Sequence, residues 1–192
     1  MITTIENLAT RGLALWDVWG KGLNGSLEFY VGGRHLSKSQ QETLNQMKSV
    51  LPLHVLWNVD DLVYPPQKKS FYMVNSMIRR KSNTYKWFLR SDDDLFVDYD
   101  RLSSFLNRIN ETKVRILGSP GEGFRKKVIV ADNEMYCMGG PGIVMSNGLL
   151  RKLENKLLKC LKKLQTKHED IELWRCVRFA TGASCGTRYI RI

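Results

Sequence analysis

Apolar residues recur along this chain in two rhythms that take turns. Leu27-Glu28-Phe29-Tyr30-Val31 is a short aromatic and β-branched run stopped by Gly32-Gly33, which predicts a strand. Behind Ser37, a residue suited to capping, Leu44 and Met47 point inward from a helix predicted over 37–50. Leu53 to Trp57 predicts a second strand, closed by Asn58 and the Asp60-Asp61 pair. Pro65 and Pro66 are tolerated in a first helical turn and open a helix through Phe71, Val74, Met77 and Ile78. Tyr85 to Ser91 predicts a strand, Asp98 caps a helix through Leu102, Phe105, Leu106 and Ile109, and Val114 to Leu117 predicts another strand.

The second half has a different texture. Met135 to Met138 and Gly142 to Met145 predict short strands around a Gly139-Gly140-Pro141-Gly142 turn. After Ser146 or Asn147, Leu149, Leu150, Leu153, Leu157, Leu158, Leu161 and Leu164 recur at helical spacing, which predicts one amphipathic helix with a core-facing leucine stripe. Strands alternating with helices predict an α/β protein with a mostly parallel central sheet flanked by helices. No repeat, low-complexity tract or Pro/Gly/Ser linker interrupts the 192 residues, so a single domain over 1–192 is expected.

In parallel α/β sheets ligands bind at the carboxyl ends of strands. One predicted strand ends there in Asp92-Asp93-Asp94. Three adjacent carboxylates repel one another, so this is either a solvated turn or a cation site. In an extended segment Asp92 and Asp94 share a face and Asp93 takes the other. Two carboxylates on one face suit Mg²⁺ or Mn²⁺. A calcium loop is excluded, because its spacing from Asp92 places Phe96 where an oxygen ligand belongs. No phosphate-cradling glycine loop is present, which leaves a metal as the means of holding a diphosphate. A second acidic pair, Glu169-Asp170, follows His168 and precedes an apolar run; it fits either helix caps or a general base. His35 and His54 read as loop and strand residues, and no nucleophile motif supports a catalytic triad.

Charge narrows the partners. The formal net charge of +11 suits a polyanion: a nucleotide, an acidic polysaccharide, an anionic membrane surface or nucleic acid. Lys152, Lys156, Lys159, Lys162, Lys163 and Lys167 crowd one segment and read as the solvated face of the leucine helix. No nucleic-acid-binding motif accompanies them, so nucleic acid is not expected. No run reaches the roughly 18 apolar residues of a membrane span. Nor is a leader legible at the start. Cys137, Cys160, Cys176 and Cys185 form no C-x-x-C pair, so they read as two disulfides in an oxidising compartment or as buried thiols. Asn24-Gly25-Ser26 and Asn110-Glu111-Thr112 are N-glycosylation sequons and lean toward the secretory route.

Four stretches together resemble the Fringe-like β-1,3-glycosyltransferases, most closely the N-terminal transferase domain of chondroitin synthases and polymerising factors. They are Tyr64-Pro65-Pro66-Gln67-Lys68-Lys69-Ser70-Phe71, Trp87-Phe88-Leu89-Arg90-Ser91-Asp92-Asp93-Asp94, Cys137-Met138-Gly139-Gly140-Pro141-Gly142, and His168-Glu169-Asp170 before Arg175-Cys176. The resemblance implies a GT-A-type fold, a UDP-sugar donor, Mn²⁺ (or Mg²⁺) and a Golgi-lumenal, membrane-anchored enzyme. It assigns the metal to Asp92 and Asp94 with Asp93 in support, and the base to Asp170 with Glu169 in reserve. It places Gly139 and Gly140 beside the donor sugar, a tight turn being the alternative, and Lys68 and Lys69 either toward phosphate or substrate carboxylates or on an exposed helix face. The implied reaction adds glucuronic acid, β-1,3, to N-acetylgalactosamine of a growing chondroitin chain. A hetero-oligomer with another synthase or polymerising factor is the implied assembly, and a non-catalytic partner or carbohydrate-binding module is the alternative.

Departures from the pattern come with it. Relatives carry a strand, stem and anchor ahead of Met1-Ile2-Thr3-Thr4 and a later metal-completing histidine, so a chain truncated at both ends is expected. Trp174 stands where a small residue usually precedes Arg175-Cys176. By position, Cys137 is expected to pair with Cys160 and Cys176 with Cys185.

Overall fold

The computed structural model describes residues 1–23, 25–121 and 135–186. Helical turns α1 (Ile5–Asn7) and α2 (Leu13–Val18) flank a π-helical turn at Leu8–Gly12. There follow β1 (Phe29–Arg34), α3 (Lys38–Met47), β2 (Leu53–Asp60), α4 (Gln67–Lys81), β3 (Trp87–Arg90), α5 (Tyr99–Leu106) and β4 (Ile116–Gly118). The remainder is β5 (Pro120–Gly121), β6 (Tyr136–Cys137), β7 (Ile143–Ser146), α6 (Asn147–Leu153), α7 (Leu157–Leu161) and α8 (Glu169–Thr181).

The predicted caps explain several boundaries. Ser37 accepts a hydrogen bond from the Gln40 amide at 3.2 Å and its own amide donates to the Gln40 side chain at 3.0 Å, a reciprocal box that starts α3. Asp98 accepts from the Arg101 amide at 3.0 Å and starts α5. Ser146 accepts from the Leu149 amide at 3.1 Å and starts α6. Gly182, at φ 73°, ends α8 in the left-handed conformation that glycine adopts without strain.

Among the described residues the strands form three sheets rather than one. β1 and β2 pair in parallel, whereas β7 lies between β3 and β4 and runs antiparallel to both. The expected mostly parallel sheet is therefore realised only in part. Because β3 and β4 each oppose β7, they run parallel to one another, as their α5 crossover demands. Alternation along the sequence reports the direction of successive strands, not which later strand inserts between them. Ile2 joins two sheets, bridging in parallel to Tyr30 on one side and Asp92 on the other. Its amide donates to Ser91 O at 2.8 Å, and the Thr3 amide donates to Tyr30 O at 3.1 Å.

Alternation on β1 divides the core. Phe29 and Val31 pack with Ile5, Leu8, Leu44 and Leu51, while Tyr30 faces the larger cluster of α4, β7, α6 and α8. The leucine stripe is less uniform than its spacing predicts. Leu149, Leu150, Leu153 and Leu157 are fully buried, but Leu158 and Leu164 are exposed, and the single predicted helix breaks between α6 and α7. Two links to α8 account for the break: Lys156 donates to Ala180 O at 3.0 Å, and Cys160 bonds Cys176. The lysines Lys152, Lys159, Lys162, Lys163 and Lys167 are exposed, as a solvated face requires.

Both expected disulfide pairings are overturned. Cys137 bonds Cys185, with Cα atoms 5.2 Å apart, and Cys160 bonds Cys176 at 5.7 Å. Pairing by position assumed that the chain moves onward after each cysteine. Instead α7 packs against α8, and the segment after α8 returns beside β6, where the Cys185 amide donates to Met135 O at 3.1 Å. Of the sequons, Asn24 lies outside the described residues; Asn110 is exposed and accepts from the Thr112 hydroxyl at 2.7 Å.

Candidate active site

β3 places a buried arginine immediately before the acidic triplet. Arg90, 1% exposed, sits among groups that each offer oxygen. Its Nη2 donates to Glu169 Oε2 at 2.6 Å and lies 3.1 Å from Asp92 Oδ1, and its Nη1 donates to the Gly139 carbonyl at 3.1 Å. Its Nε has no hydrogen-bond partner among the described residues. An arginine is almost never buried without carboxylate partners, so Arg90 within Trp87-Phe88-Leu89-Arg90 was a legible signal that pattern reading passed over.

The three aspartates do not lie on an extended segment: β3 ends at Arg90, and Asp93-Asp94 form a turn. Asp93 is turned inward; it accepts from Thr3 Oγ1 at 2.6 Å, Asn7 Nδ2 at 3.0 Å and Arg11 Nη1 at 3.4 Å. That set pins the N-terminal segment beneath the triplet. Asp94 is exposed, and the Asp92 side chain is 39% exposed. Burial pushes the Asp92 carboxyl up, the Arg90 charge pulls it back down, and the neighbouring Asp94 adds to the rise.

The second acidic pair meets the first through α8. Glu169 is buried, and accepts from the Ser70 hydroxyl of α4 as well as from Arg90. Burial drives its carboxyl above the usual range, with Arg90 and Ser70 opposing. Asp170 is half-buried: Oδ2 accepts from the Gly139 amide at 3.0 Å and Oδ1 from the Ile171 amide at 2.9 Å. Each carboxylate oxygen has a second lone pair, so acceptor capacity remains. The Tyr136 phenol is pushed up, first by burial and then by the charge of Asp170.

Gly139 is the hinge pin of this arrangement. A Cβ there would lie 3.1 Å from Arg90 Nη1 and 3.3 Å from Asp170 Cβ, tighter than side chains ordinarily approach. The turn closes by the Gly142 amide donating to Gly139 O at 2.9 Å, with Gly142 at φ 87°. Gly140 has open space around it.

The paired lysines divide. Lys68 is half-buried at the start of α4. Lys69 neither faces a phosphate site nor lies on an exposed helix face. It is 3% exposed and donates to Asp61 Oδ1 at 2.8 Å, Thr3 O at 2.8 Å and Asp61 O at 2.5 Å. Asp61 in turn accepts from the Ile5 amide at 2.6 Å and the Gly32 amide at 2.7 Å. This knot ties the N-terminal segment, β1 and the start of α4 together beneath the acidic residues. His168 occupies the N-cap of α8, His54 lies 3.0 Å from Ser76, and His35 pairs with Asp60. Trp174 is taken into the core at 2% exposure.

Among the described residues no group of three His, Cys, Asp or Glu side chains converges as a metal cage. Asp92 and Asp94 are solvent-accessible carboxylates, the donor type of which Mg²⁺ characteristically takes one or two before completing its shell with water and substrate phosphate. A cavity of about 290 Å³, lined by Met1, Tyr30, Met77, Phe88 and Leu106 among others, lies elsewhere; neither Asp92, Asp94 nor Asp170 lines it.

A model of Fringe-like domains matches residues 64–181, a span that holds Asp92, Asp93, Asp94, Glu169 and Asp170. The chain belongs to the Fringe-like family. Its mixed α/β structure is that of a GT-A-type Fringe-like domain. This Fringe-like chain is similar to "Chondroitin sulfate synthase 3" of Mus musculus and of Homo sapiens, 36% identical to each over 192 residues. Each match covers 98% of this chain and 21% of the relative. It is also 27% identical over 105 residues to "Chondroitin sulfate glucuronyltransferase" of Homo sapiens, covering 55% of this chain and 13% of that one. The chain thus spans about a fifth of the length of the synthases it matches.

Proposed function

We propose that this domain catalyses transfer of glucuronic acid from its UDP-sugar, with inversion, to N-acetylgalactosamine of a growing chondroitin chain in β-1,3 linkage. The observation that carries the proposal is the convergence of Asp92, beside Asp94, with Glu169 on one buried guanidinium that also holds Gly139, whose amide donates to Asp170. Asp92 and Asp94 hold Mn²⁺ (or Mg²⁺), which when bound offsets the charge of the departing diphosphate. Asp170 takes the proton from the acceptor hydroxyl as that oxygen attacks the anomeric carbon. The open backbone at Gly140 and the close-packed Gly139 leave room for a sugar beside the acids, and Lys68 is offered to phosphate or substrate carboxylate.

Several observations support this reading. A relative named for glucuronyl transfer favours the donor. The net charge of +11 suits an anionic acceptor. Two disulfides suit an oxidising compartment such as the Golgi lumen, with the full-length protein membrane-anchored and joined to another synthase or polymerising factor. In this chain no described helix is long and apolar enough to cross a membrane. A second reading, a non-catalytic partner in a polymerase complex, is favoured by the lack of a complete metal cage among the described residues.

Incubation with Mn²⁺ and a chondroitin oligosaccharide ending in N-acetylgalactosamine, with product read by mass spectrometry, separates these readings. UDP-glucuronic acid is expected to extend the oligosaccharide by one uronic acid. Extension from UDP-N-acetylgalactosamine instead would reverse the donor assignment, and UDP binding without any transfer would favour the partner reading.

A further inference from the structure

We infer that Arg90, with Glu169 as its buried counter-ion, is a positioning residue that couples the metal-side aspartate to the alignment of the base. The inference rests on the roles given above to Asp92 and Asp170. Arg90 makes no hydrogen bond to Asp170 and is itself too buried to meet substrate. It acts through two intermediates: its Nη2 lies between Asp92 Oδ1 and Glu169 Oε2, and its Nη1 holds the Gly139 carbonyl. The amide of that same glycine donates to Asp170 Oδ2 at 3.0 Å. One planar cation therefore sets the spacing between the β3 loop and the first turn of α8.

Three features make this more than a structural ion pair. Arg90 is 1% exposed and Glu169 is buried with it, so that pair is only weakly screened by salt. Its fork serves three partners in fixed directions, which the point charge of a lysine cannot do. Glu169 has its remaining oxygen bonded by Ser70, which anchors the brace to α4, and it is buried where Asp170 is only half-buried. The candidate base and its neighbour in sequence thus divide the labour: Asp170 faces Gly139 and Glu169 fastens the frame.

The test is amide hydrogen exchange at Gly139, read by NMR in the whole chain, in wild type and in Arg90→Lys. Lysine keeps the charge against Glu169 but cannot also hold the Gly139 carbonyl and Asp92. Gly139 protection is expected to fall about tenfold or more while amides of the β1–β2 sheet keep theirs. In the transfer assay kcat is expected to fall roughly 100-fold, the scale of a slightly misplaced catalytic group, with donor KM within about threefold. Unchanged Gly139 protection in a folded Arg90→Lys chain would overturn the inference, and so would a donor KM effect with kcat intact. Should Arg90→Lys fail to fold, Glu169→Gln releases the same guanidinium and makes the same measurement. A wild-type chain that transfers no sugar refutes the catalytic reading, while the exchange result still judges the brace.

Discussion

Asp170→Asn is expected to lower the rate of sugar transfer about 1000-fold, within the range that a positioned general base supplies. Donor binding is expected to stay within about threefold of wild type, because the change leaves the Asp92 and Asp94 carboxylates in place and uniform binding is untouched. Asparagine preserves the shape of the site: its carbonyl oxygen still accepts from the Gly139 or the Ile171 amide, as Asp170 does at 3.0 and 2.9 Å. What it loses is the capacity to take a proton. Glu169→Gln provides the contrast, since Glu169 is enclosed by Ser70 and Arg90 and meets no open space through which an acceptor hydroxyl arrives. Steady-state kinetics on both variants, with unfolding temperatures measured alongside, decide the matter. A larger loss from a well-folded Glu169→Gln than from Asp170→Asn would exchange the two roles.

The second large effect is on stability. Lys69→Met removes the cation paired with Asp61 in the buried knot, leaving among the described residues a carboxylate held by two backbone amides. Breaking one side of a buried pair costs about 3–5 kcal/mol. For a chain of this size that lowers Tm by roughly 6–20 °C. Adding Asp61→Asn to Lys69→Met is expected to recover part of the loss, because the uncompensated charge disappears with it. Thermal unfolding under non-reducing conditions reads both variants. A Lys69→Met chain that melts with wild type would mean that the knot contributes nothing.

Much of this architecture could be read in the sequence because it is local. The caps Ser37, Asp98 and Ser146 and the strand that delivers Asp92 follow from residue type within a few positions. What depended on distant contacts was missed. The insertion of β7 between β3 and β4, the break between α6 and α7, and both disulfide pairings are set by where α8 packs, which no local pattern states. The acidic residues were legible as candidates, but their separation was not: Asp93 serves Thr3, Asn7 and Arg11, and Lys69 serves Asp61, through pairings 90, 86, 82 and 8 residues apart. Arg90 had a readable clue in its apolar strand context, whereas Ser70 had none, since nothing local distinguishes a helix serine that meets a glutamate 99 residues later.

The central claim is that Asp92 and Asp94 form a metal-dependent donor site. Calorimetric titration of UDP into the chain, with and without Mn²⁺, and into Asp94→Ala, tests it most directly. Asp94 is exposed and bears no core contact, so its loss leaves the fold intact. Binding that requires Mn²⁺ and weakens about 100-fold or more in Asp94→Ala is the expected result, since about half of the protein's ligand set for the ion is gone. UDP binding that is indifferent to Mn²⁺ and to Asp94, or no binding by a folded wild-type chain, would contradict it.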